Sequence, residues 1–150
     1  MRVDFYHLQK WPLEKALPKI LQKVRQTGHR AVVLAGSEER VESLSNALWT
    51  FDPNSWMANG TAKDGQPQDQ PIWVTEHPEN PNSASILVLT DSMSGAALDS
   101  YERCLDMFDG NDEEAVGLAR SRWQEARGKG HELHYWQQTE QGGWEEKAQA

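Results

Sequence analysis

Two hydrophobic periods alternate along this chain, and the order in which they alternate sets out a fold. Val3 to His7 reads as a first strand. It gives way to Trp11-Pro12, a pair that suits helix entry, because a proline at the first helical position gives up only an N–H that has no intrahelical partner. Leu13, Ala16, Leu17, Ile20, Leu21 and Val24 then fall at offsets 0, 3, 4, 7, 8 and 11, the signature of one buried helical stripe. Lys15, Lys19 and Lys23 recur every fourth residue on another face and read as a solvated surface. Gly28 closes this helix in the manner of a C-terminal cap, and Ala31-Val32-Val33-Leu34 is short, apolar and branched enough for a buried strand.

The second half repeats the theme less cleanly. Ser37 is placed to cap a helix whose apolar residues Val41, Leu44 and Leu48 share a face. Residues 52–70 are rich in Asp, Asn, Gly and Pro and predict a long surface loop, interrupted by Ser55-Trp56-Met57. Ile72 to Thr75 and Ser85 to Thr90 predict two strands separated by a turn-rich stretch, and Tyr101 to Phe108 predicts another. Asp109-Gly110-Asn111-Asp112 marks a turn and a helix start, with Glu113 and Glu114 near the positive end of the helix dipole. That helix runs to about Arg127 with Ala115, Leu118, Ala119 and Ala126 inward, and Gly128 and Gly130 end it. Leu133 and Tyr135 open a last strand, followed by a polar tail from about residue 138. Strands alternating with helices predict an α/β fold of three layers, α/β/α, with a mostly parallel, mixed sheet. At 150 residues, the chain fits one domain over residues 1–150.

Composition narrows the function classes. A formal net charge of −8 disfavours direct binding to nucleic acid, which a cationic surface drives by releasing counterions from the phosphate backbone. Runs such as Ile86-Leu87-Val88-Leu89 fall far short of the ~20 apolar residues of a membrane helix. The opening Met1-Arg2-Val3-Asp4-Phe5 lacks the pattern of a secretion signal, so a cytoplasmic location is expected. The single cysteine, Cys104, reads as a small buried apolar residue.

Catalytic and cofactor chemistry finds little support. The strand-helix-strand opening invites a nucleotide, yet Leu8-Gln9-Lys10-Trp11-Pro12 carries no glycine-rich phosphate loop, and after the second strand only Gly36 appears. His131 and His134 have no third ligand at metal-binding spacing. Ser37, Ser94 and Cys104 lack any local signature pairing a nucleophile with a base. No cofactor and no catalytic residue is therefore assigned. A small Rossmann-like nucleotide-binding protein or enzyme with an unrecognised site stands as the alternative to an interaction protein.

Two features read as binding surfaces. Trp49 falls at the edge of the apolar face of the second helix, and Trp56 stands in a polar loop with little local support, so both are candidate interface anchors. On the last helix Val116, Arg120, Trp123 and Arg127 gather along one flank. A flank of guanidinium groups beside an aromatic suits a short acidic peptide with an apolar side chain.

These segments resemble the chi subunit family of bacterial DNA polymerase III. Ala47-Leu48-Trp49-Thr50-Phe51-Asp52-Pro53-Asn54-Ser55-Trp56 is similar to that family's Leu-Trp segment followed by an aromatic seven residues on. Val3-Asp4-Phe5-Tyr6-His7 and Gln70-Pro71-Ile72-Trp73-Val74 resemble its strands, and Leu118-Ala119-Arg120-Ser121-Arg122-Trp123 resembles its last helix. Val116 and Gln124 stand where some members carry lysines, and Met57-Ala58-Asn59-Gly60 departs from the usual proline and histidine. The resemblance implies a Rossmann-like fold without a nucleotide site and a non-catalytic role in DNA replication, linking the clamp loader to single-stranded DNA-binding protein. It further implies that Trp49 and Trp56 meet a psi-like subunit. Arg120 and Trp123 match the family's pocket for the acidic C-terminal tail of the single-stranded DNA-binding protein, and Val116 and Arg127, on the same flank, are further candidates for that site.

Overall fold

A computed structural model describes residues 1–52, 57–94 and 100–150. Among these, seven strands form one sheet: β1 (Arg2–Leu8), β2 (Ala31–Leu34), β3 (Ile72–Thr75), β4 (Ile86–Leu89), β5 (Arg103–Asp109), β6 (Glu132–Gln138) and β7 (Trp144–Gln149). Their order is β3-β2-β4-β5-β1-β6-β7. Every pairing is parallel except that of β6 with β7. Helices α1 (Leu13–Gln26) and α2 (Glu38–Thr50) cover one face, where Leu17, Leu21, Leu44 and Leu48 pack on Val33, Val74, Val88 and Leu105. Helix α3 (Glu113–Gly128) covers the other, where Ala119 and Ala126 meet Phe5, Cys104, Phe108 and Leu133. The result is the expected three-layer α/β/α arrangement. No helix among the described residues is long and apolar enough to cross a membrane.

The strand sequences explain their places. β2 and β4, AVVL and ILVL, are buried on both faces, as central strands of a parallel sheet between helices must be. β3 lies at the edge, yet the backbone of Gly60 exchanges hydrogen bonds with Ile72 and Val74 at 3.0 and 2.9 Å. Part of the 52–70 segment thus shields the β3 edge from pairing with another chain. Buried Asn59 joins that segment to α2 through Ser45 Oγ at 2.5 Å. Trp56, expected in this loop, lies outside the described residues.

Helix ends follow the chemistry of their caps. Ser37 Oγ accepts from the Arg40 N–H, and Asp112 Oδ1 accepts from the N–H groups of Glu114 and Ala115. α1 and α3 end in the same motif, in which the second residue past the cap bonds back to the helix: His29 to the Val24 carbonyl and His131 to the Ala126 carbonyl. The motif needs a left-handed residue, supplied at the end of α3 by Gly130 at φ +81°.

Two sequence readings are corrected, and one is extended. Leu118, expected inward, is 44% exposed. Measured from Ala115 at ~100° per residue, Leu118 lies ~60° to one side, whereas Arg122 lies within ~20° of the stripe through Ala115, Ala119 and Ala126. Arg122 takes the inward place and makes a two-pronged ion pair with Asp106 on β5, at 2.5 and 2.9 Å. The polar residues past 138 form a tight turn and then β7, because Trp144 packs into the α1 side of the core while its charged neighbours face water. Lys15 and Lys19 are exposed as expected, but their ammonium groups also sit 4.6 and 4.1 Å from the Trp11 ring, a cation–π arrangement the spacing alone did not reveal.

Candidate protein-interaction site

α3 crosses β1, β5 and β6 with small residues inward, so its backbone approaches the sheet closely. The next flank round the helix holds Val116, Arg120 and Trp123. Trp123 stands edge-on to Phe5 of β1 at 5.3 Å between ring centres and to Tyr135 of β6 at 6.1 Å. Tyr135 in turn meets Phe108 of β5 at 6.1 Å. These rings leave a cavity of about 230 Å³, bounded by Val116, Ala119, Arg120, Trp123, Tyr135 and Ala148 over a floor of Phe5 and Phe108. That is below the ~300 to 1,000 Å³ typical of drug-sized ligands, and suits one bulky apolar side chain.

Arg120 is the charged residue of this wall and is exposed. An apolar hollow beside a guanidinium offers the two contacts that a peptide ending in an apolar residue and a free carboxylate requires. Three of the four residues expected on this flank are thus brought together. Arg127, exposed and two turns beyond Arg120, does not line the cavity. The sequence reading missed Phe5, Phe108, Tyr135 and Ala148, which come from four different strands, β1, β5, β6 and β7. The alternation of Leu133 and Tyr135 in β6 was the one available signal, since it puts Tyr135 on the α3 face.

Beneath the rim lies His7, whose Nδ1 is hydrogen-bonded to the Tyr135 hydroxyl and whose ring meets Phe108 at 5.2 Å. Its edge runs so close to Gly110 that a Cβ there would approach His7 Cδ2 and Nε2 at 2.0 Å. Any other residue at position 110 would displace the ring.

On the opposite side of the sheet, α2 buries Val41, Leu44 and Leu48 and leaves Trp49 40% exposed. Trp49 therefore stands at the edge of the apolar face, on the layer away from the cavity.

A larger cavity, about 510 Å³, opens at the carboxyl ends of β1 and β5, the position at which doubly wound folds bind nucleotides. Its chemistry is wrong for phosphate. Glu14, Asp91, Asp109 and Asp112 line it with Lys10 and Arg40, and Arg40 is already paired with Glu14 and Asp91. The backbone N–H groups of Gln9, Lys10 and Trp11, which would cradle a phosphate, all point at Gln138 Oε1, at 3.2, 2.9 and 2.9 Å. Among the described residues no three His, Cys, Asp or Glu side chains converge to hold a metal.

Residues 1–134 match the family described as DNA polymerase III chi subunit, HolC. A curated protein of Rickettsia prowazekii (strain Madrid E), described as "Probable DNA polymerase III subunit chi", is 32% identical over 105 residues, covering 70% of this chain and 64% of that protein. The matched stretch thus spans just under two thirds of that relative's length. The family match takes in β1 to β5 and α1 to α3, including the Val116, Arg120 and Trp123 wall, and on it the chain belongs to the DNA polymerase III chi subunit family.

Proposed function

We propose that this protein is a non-catalytic, cytoplasmic accessory subunit of the bacterial DNA polymerase III holoenzyme. It joins the clamp loader, through a psi-like subunit, to the acidic C-terminal tail of single-stranded DNA-binding protein. The observation that carries this reading is the aromatic cavity with Arg120 on its rim. The terminal carboxylate of the tail pairs with Arg120, and its last apolar side chain enters the hollow between Val116, Trp123 and the Phe5–Phe108 floor. Arg127 contributes only long-range attraction. The psi-like subunit binds the α2 layer at Trp49, with Trp56, which lies outside the described residues, as the second anchor expected from the sequence. A linker must hold two partners at once, and α2 and α3 lie on opposite faces of the sheet. The alternative of a nucleotide-binding protein gains no support from the larger cavity, whose loop amides are already occupied by Gln138.

The test is fluorescence anisotropy with a labelled acidic peptide ending in an apolar residue with a free carboxylate. A partly desolvated hydrogen bond to a charged group contributes ~1.5 to 3 kcal/mol, so Arg120→Glu should weaken binding by roughly tenfold or more. Trp123→Ala should weaken it through lost packing, while Lys15→Glu on the far face should not. Equal binding by all four proteins, or none by the native chain, overturns the assignment.

A further inference from the structure

β7 lies beyond residues 1–134 that match the family, yet Ala148, near its end, is one of the residues that bound the aromatic cavity. Its place there depends on an irregularity. Gln138, Gln137 and Trp136 of β6 pair in turn with Trp144, Glu145 and Glu146, but the next residue, Tyr135, pairs with Ala148, so Lys147 is an extra residue in the edge strand. Successive side chains of a strand point to opposite faces, and one extra residue turns every side chain beyond it over.

The contacts of β7 show the effect. Before the bulge, Trp144 packs edge-on to Tyr6 at 5.0 Å and Glu146 meets His134 Nδ1 at 3.1 Å, both on the α1 side of the sheet. Strict alternation from these two would bring residue 148 to that same side and set Lys147 opposite Tyr135, with a long charged side chain over the hollow. Instead Ala148 stands opposite Tyr135 on the α3 side, and the Lys147 ammonium pairs with Glu145 at 3.3 Å. Just past Ala148 the strand is held by backbone hydrogen bonds of 2.9 Å in both directions between Leu133 and Ala150.

We propose that β7 is the outer wall of the peptide site and that Ala148 is its size-determining residue, leaving the hollow deep enough for a bulky terminal side chain; this rests on the tail-binding reading above. The other walls are large side chains packed against one another: Trp123 on Phe5, and Tyr135 on both Trp123 and Phe108. Ala119, the other small residue of the lining, is buried under α3, whereas Ala148 is exposed and faces open space. A larger group at position 148 therefore displaces no buried neighbour; it fills the volume that the ligand would take. The carboxylate contact belongs to Arg120 and is open to any terminal residue. Ala148 thus acts on the apolar contact alone, and decides which peptides gain from it.

The experiment is fluorescence anisotropy with two labelled acidic peptides that differ only in the last residue, leucine or alanine, each with a free carboxylate. Moving a leucine side chain out of water favours binding by roughly tenfold or more, so the native protein should prefer the leucine-ended peptide by about that factor. Ala148→Leu should weaken the leucine-ended peptide alone and bring the two affinities together. Ala148→Val, a smaller intrusion, should lose part of the preference, and it carries the same test should the leucine variant not fold. Gln149→Leu, at the neighbouring position opposite His134, adds an apolar side chain to the other face of β7 and should keep the native preference. A preference that survives in folded Ala148→Leu, or one lost equally in Gln149→Leu, overturns the proposal and leaves the tail-binding reading standing. A native chain that binds neither peptide, or both alike, overturns both.

Discussion

The side-chain oxygen of Gln138, at the end of β6, accepts the backbone N–H of Trp11 at 2.9 Å and, with it, those of Gln9 and Lys10. One amide oxygen therefore fixes the whole β1–α1 turn, the turn that in nucleotide-binding relatives of this architecture wraps a phosphate. Gln138 is 3% exposed, so its removal leaves three donors to find other partners. Gln138→Met should lower stability by about 2 kcal/mol, whereas Gln138→Glu, which keeps an acceptor at the turn, should lose less. Urea unfolding of the three proteins checks this, and equal midpoints would mean that the turn holds itself.

Arg122 and Asp106 make the buried ion pair that seats α3 on β5, with side chains 12% and 2% exposed. Breaking such a pair from one side is costlier than removing it, since the remaining charge stays buried without a partner. Arg122→Met should therefore cost about 3 to 5 kcal/mol, and the double variant with Asp106→Leu should recover much of that. The pH dependence has a definite sign. Burial already holds the Asp106 carboxyl above its ordinary range against the pull of Arg122. Without Arg122 it rises further, the folded state gains a proton as pH falls, and the deficit of Arg122→Met shrinks on acidification. A deficit that grew instead would refute this account of the pair.

Much of the architecture was legible in the sequence because one physical effect dominated each element. The stripe from Leu13 to Val24, the apolar runs of β2 and β4, and the caps at Ser37 and Asp112 each admit one reading. α3 was harder because alanines carry its inward stripe, so the larger Leu118 drew the inward assignment, and a charged residue such as Arg122 gives no hydrophobic signal of an inward place. Position along the helix decided the matter, since the carboxylate that satisfies Arg122 sits on a strand sixteen residues earlier. β7 was illegible because its single large apolar residue, Trp144, is followed directly by Glu145, Glu146 and Lys147, so no period-2 pattern marks it as a strand. The cavity was half legible: one wall lies on a single helix and follows from ~100° spacing, but its floor and far wall come from β1, β5, β6 and β7, whose adjacency depends on sheet order.

Asp4 is fully buried and accepts hydrogen bonds from Arg2, Arg103 and Trp136. Burial works to raise its pKa, yet these donors together hold it below the ordinary 3.8. A carboxyl depressed by folding contributes stability that is fully present above its unfolded pKa and is lost as pH falls through the lower folded value. The native protein should thus lose stability steeply in this acid window. Asp4→Asn should be less stable near neutrality and show a flatter acid limb. Urea midpoints between about pH 6 and about pH 2 would show the two curves converging as the carboxyl is protonated; parallel curves would remove Asp4 as a source of acid sensitivity.

Trp49 and Arg120 lie on the outer sides of opposite helix layers, and a protein that links two partners through them should bind each without regard to the other. Interface tryptophans commonly contribute ~2 kcal/mol or more, so Trp49→Ala should weaken binding of a psi-like subunit at least roughly tenfold. The same variant should leave the acidic peptide untouched, because sites more than ~10 Å apart with no shared partner behave additively. Arg120→Glu should do the reverse. The double variant should show the sum of the two losses in free energy, with no coupling beyond ~0.5 kcal/mol. Salt offers a second separation. The Arg120 contact is exposed and screened beyond ~8 Å at physiological ionic strength, so peptide affinity should fall as salt rises, while the contact through Trp49, apolar in character, should hold or strengthen. Calorimetry with each partner alone and with the other saturating measures all of these quantities. Mutual weakening of the two partners would place them on one surface and defeat the linker reading even if each single variant behaved as expected.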